Sequence, residues 1–379
     1  MQSKHPIGIA SLQKLLTRGF VVTLIVLFYS MITNAQSTSS YEIPIDARSV
    51  AMGESFVAVA GNVAGLKYNP ASLAMIRGVH VLYANRDMNW TSFTEDFRYS
   101  SYNVAVQTPV AILGFSYDRL DFGKILLADL NGNTVDAYPY EHTFILGAAH
   151  TFDCGLSVGA SAKTFHFVNI TVRTPSNPEG IDETTLPILF DLGFQHTLPT
   201  SESAIHSALN IGASLQNFGS NVRYKDGNGK ELGSNQPDRF LRAGLAFNVS
   251  VNESEEMLTP FRMTTSLEYR RFLNGYSHGQ KDFYGFGIEM TLFDIVDVRG
   301  GGFLSNITWV YGEQKKVAYR YGVGVNLPLR KLGATLPVVA RFDYAVIPLN
   351  ERLHDVYFAF DKSKLTVFSI QLSYEEELF

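Results

Sequence analysis

The residues able to do chemistry are plentiful, but their spacing does not organise them. The nine histidines are His5, His80, His142, His150, His166, His196, His206, His278 and His354. None falls in an HExxH or CxxC-like spacing, and Cys154 is the only cysteine, so neither a metal site nor a disulfide framework is expected. No GxSxG elbow and no GxxxxGK[ST] loop occurs. Ser157 with His166 can be written as a nucleophile and base, but so can such pairs in any chain this long. Asp129, Asn131 and Asn133 in DLNGNT offer oxygens of the calcium type. The glycine falls too early for an EF-hand loop and no glutamate closes it, so a turn is expected. DGNG at 226–229 reads the same way. No enzyme activity, cofactor or metal is expected.

A different set of charges recurs at every second residue: Asp191, Glu268, Arg270, Glu289, Asp297, Arg299, Arg320, Arg341 and Asp343. Apolar residues alternate with them. Tyr284, Phe286, Ile288, Met290 and Leu292 form one such run. Tyr319, Tyr321, Val323, Val325 and Leu327 form another. Leu336 to Val346, Leu186 to Phe194 and Phe368 to Tyr374 repeat the pattern. A period of two means strands with one apolar face. Asn131-Gly132, Asp226-Gly227, Asn228-Gly229 and Asn274-Gly275 punctuate them as turns. Stretches 174–180 and 198–203 read as longer loops. Strands are expected near residues 83, 103, 114, 146, 161, 190, 211, 244, 267, 287, 300, 322, 341 and 370, with room for a further hairpin in 121–139.

Composition narrows what such strands build. Hydrophobic residues are an ordinary 46%, but charged residues are only 18% and aromatics 13%. A typical soluble domain is roughly 25% charged. The aromatic content excludes disorder, and a net charge of −5 argues against a nucleic-acid partner. Many runs span about 9–12 residues, the length needed to cross a bilayer at a tilt of roughly 45°. Tyr83, Tyr117, Tyr269, Tyr284, Tyr319 and Tyr344 sit near run ends, where interfacial girdles form. The expected fold is all-β: a transmembrane antiparallel β-barrel of about fourteen strands. Its opposite face, with charges of both signs, would look into the lumen.

Residues 1–35 read as a secretory signal peptide. Lys4, Lys14 and Arg18 precede the apolar run Phe20 to Ile32, and Thr33-Asn34-Ala35 suits cleavage near Ala35. Residues 36–78 form a leader and a compact non-barrel segment, and 79–379 form the barrel. Within the segment, Asn69 is placed to cap a short helix whose first residue is Pro70. Arg48 is expected to pair with a luminal acid such as Glu268 or Glu289.

The stretch Asp46-Ala47-Arg48-Ser49-Val50-Ala51-Met52-Gly53-Glu54-Ser55-Phe56-Val57-Ala58-Val59-Ala60, followed by Tyr68-Asn69-Pro70-Ala71-Ser72-Leu73-Ala74, resembles the N-terminal signature of the PorV/PorQ family. That family is related to FadL-type outer-membrane transport barrels. Leu215-Gln216-Asn217-Phe218-Gly219, Arg299-Gly300-Gly301-Gly302-Phe303 and Phe342-Asp343-Tyr344-Ala345 resemble later family elements. Tyr68 stands where a tryptophan is often found.

The resemblance implies a fourteen-stranded barrel in the outer membrane of a Gram-negative cell, with the N-terminal segment inside as a plug. Arg48, Met52, Gly53, Asn69, Pro70 and Ala71 carry the family motif. Two functions follow from it. One is protein secretion of the type IX kind, with secreted cargo or secretion-complex subunits as partners. The alternative is a FadL-like channel for hydrophobic small molecules. Outer-membrane lipid is a partner in both.

Overall fold

In the computed structural model the described residues are 43–44, 46–89, 96–128, 134–168, 183–202, 204–254, 256–274, 280–309, 312–348 and 363–376. The signal peptide, most of the leader, the DLNGNT oxygens, the 174–180 stretch and the terminal Phe379 lie outside them.

Fourteen long strands form the wall. They are β1 (Val79–Asp87), β2 (Arg98–Gln107), β3 (Ile112–Asp121), β4 (Tyr140–Thr151), β5 (Leu156–Val168), β6 (Leu189–Glu202) and β7 (Ile205–Gly219). The ring continues with β8 (Phe240–Val251), β9 (Phe261–Phe272), β10 (Gln280–Leu292), β11 (Val296–Trp309), β12 (Gly312–Pro328), β13 (Val338–Pro348) and β14 (Lys364–Tyr374). Each pairs antiparallel with the next in sequence. β14 then pairs with β1, from Val79 against Tyr374 to Arg86 against Val367, and so closes the ring. All fourteen expected strand centres fall inside these elements. The hairpin expected in 121–139 exists as Ile125–Ala128 against Thr134–Ala137, a sheet separate from the wall.

Two expectations fail locally. Residues 198–202 are not loop but the end of β6, paired to β7. Pro199 enters that ladder beside a register shift at Ser207/Ala208, which absorbs its missing N–H. Leu336 precedes β13 rather than opening it. The next residue, Pro337, has no N–H for the ladder.

The wall is inside out relative to a soluble sandwich. On β10, Tyr284, Phe286, Ile288, Met290 and Leu292 are exposed, while Glu289 between them is 5% exposed. Tyr319 to Leu327 on β12 and Phe368 to Leu372 on β14 repeat this. Large apolar side chains therefore dominate the outer face, and Glu268, Glu289, Asp297, Arg299 and Arg320 are among the charged ones turned inward. Such a surface is stable against hydrocarbon and not against water. Aromatic rings on the outer face meet across strands: Phe368, Tyr83, Tyr102, Tyr117 and Phe144 follow one another at 5.8, 5.0, 6.1 and 5.1 Å. The row crosses the middle of its strands and not their ends, where the tyrosines are expected: Tyr83 is the fifth residue of nine in β1 and Phe368 the fifth of eleven in β14.

The two ends differ. Turns 108–111, 152–155, 203–204, 252–260, 293–295 and 329–337 share one end with the start of β1 and the finish of β14. Most longer connections, such as 88–97, 122–139 and 220–239, share the other.

Residues 46–76 contain helix α1 (Ala47–Ala51) and two 3₁₀ turns, Val63–Lys67 and Pro70–Met75. They lie within the ring. α1 packs on Ala345, Ile347, Leu365 and Val367. Leu66 and Leu73 pack on Leu82, Ala105 and Ile145 across the lumen.

If the apolar face meets lipid, Leu146→Arg near the middle of β4 should cost about 2–4 kcal/mol. Reversible denaturant unfolding in lipid vesicles measures it. An unchanged midpoint would remove the lipid-facing assignment.

Candidate functional site

The luminal segment is built of short helical turns joined by irregular chain, so many of its backbone groups need partners from the wall. Inward side chains supply them. Glu268 Oε2 accepts the N–H groups of Phe56 and Val57 at 2.8 and 2.9 Å. Gln195 Nε2 donates to Ala58 O at 2.7 Å, Ser214 Oγ to Tyr68 O at 2.7 Å and Gln216 Nε2 to Lys67 O at 2.8 Å. Asn69 works in both directions. Its Oδ1 caps the turn by accepting from Ala71 N, and its Nδ2 donates to Val57 O and Phe194 O. Pro70 is the first residue of that turn, as expected.

Small residues let the segment reach the wall. Cβ atoms added at Gly159 or Gly193 would collide with Pro70 and Ala71. Added at Gly287 or Gly301, they would collide with the backbone of Met52. Gly53 has φ +65°, and its own Cβ would strike the backbone of Phe286 and Gly302. The six motif residues thus mark where the segment touches the wall.

Ion pairs fix the segment. Arg48 pairs with Glu289 at 2.7 Å, one of the two expected acids. Glu289 also takes Arg299 Nε at 2.5 Å, and Arg299 reaches Asp297 and Asp343 at 2.5 and 2.6 Å. Arg341 donates to Asn326 Oδ1, and Asn326 donates to Asp297. Arg320 binds Glu54 at 2.8 Å and Arg242 binds Glu268 at 2.7 Å. Asp191 sits elsewhere, with Lys163 at 2.7 Å. Arg270 lies over the Phe283 ring at 4.3 Å.

The expected charges therefore divide. Glu289, Arg299, Asp343 and Asp297 form one network, with Arg341 at its edge. Glu268 and Arg320 hold the segment separately. Sequence reasoning missed Glu54, Lys67, Asp118, Lys163 and Arg242. Asp118 pairs with Lys67 of the segment at 2.7 Å. Asp118 and Arg242 lie in phase with the inward positions of β3 and β8, so alternation could have found them.

Above and below the segment the lumen changes character. Toward the long-connection end, rings meet inside the ring of strands: Phe97 stacks on Phe122 at 5.2 Å and Phe283 on Phe303 at 4.7 Å, and Phe240 meets Phe272 edge to face at 4.7 Å. Toward the short-turn end lie two adjoining cavities of about 550 and 590 Å³. Arg48, Glu289 and Arg341 line the first, and Glu253, Arg262 and Lys331 line both. At that end burial pushes the Asp294 carboxyl up. Hydrogen bonds from Lys331 and Thr259 N–H outweigh this and hold it below the ordinary carboxylate range.

Ser157 and His166 do not meet. They lie nine residues apart on β5, roughly 30 Å along a strand. Ser157 bonds Thr151 Oγ1 instead. DGNG at 226–229 is a turn, with Asp226 Oδ1 accepting from Asn228 N and Lys230 N.

No family model and no curated relative matches the chain. Solved structures do. The Pseudomonas putida toluene transporter TodX aligns at TM-score 0.47 and 9% identity, over 91% of this chain and 100% of that one. The Ralstonia pickettii toluene transporter TbuX gives 0.47 and 14%, over 88% and 99%. A Pseudomonas aeruginosa FadL homologue gives 0.44 and 10%, over 89% and 100%. These are known structures to which this barrel is similar. The strand count and closure rest on its own pairing.

Removing one partner of a buried ion pair typically costs about 3–5 kcal/mol. Glu289→Ala should loosen the segment, so that a cysteine at Ser49 is labelled by a maleimide at least tenfold faster. Equal labelling in parent and variant would mean that Glu289 does not hold α1.

Proposed function

We propose that the chain is an outer-membrane channel for hydrophobic small molecules, gated by its luminal segment. The observation that carries this is the order of environments along the lumen. An aromatic inner rim lies toward the long-connection end, the ion-paired segment follows, and polar cavities open beyond it. Barrels of this class carry short turns on the periplasmic side and longer loops outside. The aromatic rim would then face the exterior, where a hydrophobic solute arrives. Outer-membrane placement, export by a cleaved signal peptide and the absence of enzymatic activity are part of this reading.

The segment would act as the plug. It meets the wall through many ion pairs and hydrogen bonds, which water can replace as it moves. TodX and TbuX are toluene transporters, in keeping with this reading of the lumen.

Protein secretion is the second reading, with secreted cargo or secretion-complex subunits docking on the barrel. The filled lumen favours it, because a sealed barrel offers surfaces rather than a path. None of the structures compared above is described as a secretion component, so the channel takes first place.

Uptake separates the two. Cells expressing the barrel should accumulate labelled toluene or a labelled long-chain alkane several-fold faster than cells without it, and Glu289→Ala should alter that rate. Uptake at the background rate, with exported proteins recovered on the purified barrel, would overturn the channel in favour of secretion.

A further inference from the structure

On the outer face of β2 to β5 the apolar surface gives way to a polar patch near the long-connection end. Its rows follow from register. The aromatic row pairs Tyr102 with Tyr117 and Tyr117 with Phe144. Two residues nearer the long-connection end, Arg119 pairs with His142 and His142 with His166. Two residues further, Arg98 pairs with Asp121 and Asp121 with Tyr140. A strand rises about 3.3 Å per residue and a barrel strand tilts about 40°, so each step climbs roughly 5 Å. The headgroup layer is about 5–8 Å deep on each side. β3 climbs roughly 23 Å from Ile112 to Asp121, close to the ~25 Å height of a barrel's apolar band, so the Arg119 and Arg98 rows lie at the edge of that band, next to the headgroup layer.

A cleft of about 540 Å³ opens there, lined by Asp96, Arg98, Arg119, Asp121, Tyr138 and Tyr140. Arg119 stacks 4.7 Å over the Tyr140 ring and forks onto Asp121. Arg98 pairs with Asp96 at 2.6 Å. Both pairs are solvent-accessible: the Arg119 and Asp121 side chains are 40% and 39% exposed. Accessible pairs of this kind contribute little to stability. A phosphate monoester has more charge and more acceptor oxygens than either carboxylate. It can therefore take over both guanidinium forks at small cost. Tyr117 Oη meets His142 Nδ1 at 2.7 Å, and His166 Nε2 lies 3.4 Å from Glu183, so both histidines already have partners.

We propose that this cleft binds the phosphate of an anionic lipid headgroup in the leaflet at the long-connection end. Arg98 and Arg119 would hold the phosphate, and Tyr138 and Tyr140 would flank the headgroup. The position decides the occupant: Arg98, Arg119, Asp121 and Tyr140 of the cleft lie on the outer face, in line above the lipid-facing Tyr102, Tyr117 and Phe144. The inference rests on the membrane placement proposed above but not on the channel.

The test uses the full barrel in detergent micelles. Native mass spectrometry would follow titration with bisphosphorylated lipid A, the same lipid without phosphates, and inorganic phosphate alone. The phosphorylated lipid should bind at least tenfold tighter than the other two. Arg98→Gln with Arg119→Gln should remove that preference, the double lysine variant should keep part of it, and Arg223→Gln should change nothing. Equal binding of both lipids, or full binding by the double glutamine variant, would overturn the proposal. Inorganic phosphate binding as tightly as the lipid would overturn the lipid assignment. Should the glutamine variant fail the heat-shift test of folding, the comparison of the two lipids on the parent protein decides alone. Uptake is measured separately, so a failure here leaves the channel standing.

Discussion

The constraint on which the rest depends is that backbone N–H and C=O groups cannot be left unpaired in hydrocarbon. The wall meets it by closure, with β14 returning to β1. Closure then creates a second problem, because the ring encloses a space that the irregular segment 46–76 enters. A loop in that position has the same unpaired groups as an open sheet edge. It is stable only because the wall turns acceptors and donors inward at the right places. Glu268, Gln195, Ser214 and Gln216 each serve backbone groups of the segment. They lie on adjacent or near-adjacent strands, β6, β7 and β9, so one side of the ring acts as a substitute for secondary structure.

Polar reach alone would not suffice, since each of those bonds needs the segment within about 3 Å of the wall's own side chains. Glycine provides that approach. On β10 and β11 the inward positions Gly285, Gly287 and Gly301 form a notch for Met52 and Gly53. On β5 and β6, Gly159 and Gly193 do the same for Pro70 and Ala71. A methyl group at these points would displace the segment and break hydrogen bonds some distance away. Close packing and polar satisfaction are therefore coupled.

Most of the wall was legible in the sequence because its signal is local. A period of two needs only neighbouring residues, and every expected strand centre falls in a strand. The inward charges were legible as a face for the same reason. Their partners were not, because the chain brings Arg48 and Glu289 together across 241 positions. Lys67 and Asp118 show the limit from the other side: each is unremarkable in its own stretch, and only closure makes them a pair. The stretch at 198–202 was misread because Pro199 and its serine-rich surroundings carry a turn composition. A bulge at Thr200, the residue of β6 left unpaired between Ser201 and Pro199, accommodates that proline, and alternation within a strand does not report such a bulge.

The choice of ions over apolar contacts at Arg48, Glu54 and Lys67 also bears on motion. Buried ion pairs contribute little net stability, because desolvation offsets most of the attraction. An apolar seat would lose its full transfer energy whenever the segment moved into water. Charged partners regain hydration instead, so the difference between the seated and displaced states narrows. The cavities at the short-turn end already reach Arg48 and Glu289. Water entering there meets the pair that holds α1 before it meets the apolar contacts of Ala47, Val50 and Ala51. A segment meant only to fill the lumen would be better served by leucine at these positions. One meant to leave its seat is better served by the charges present.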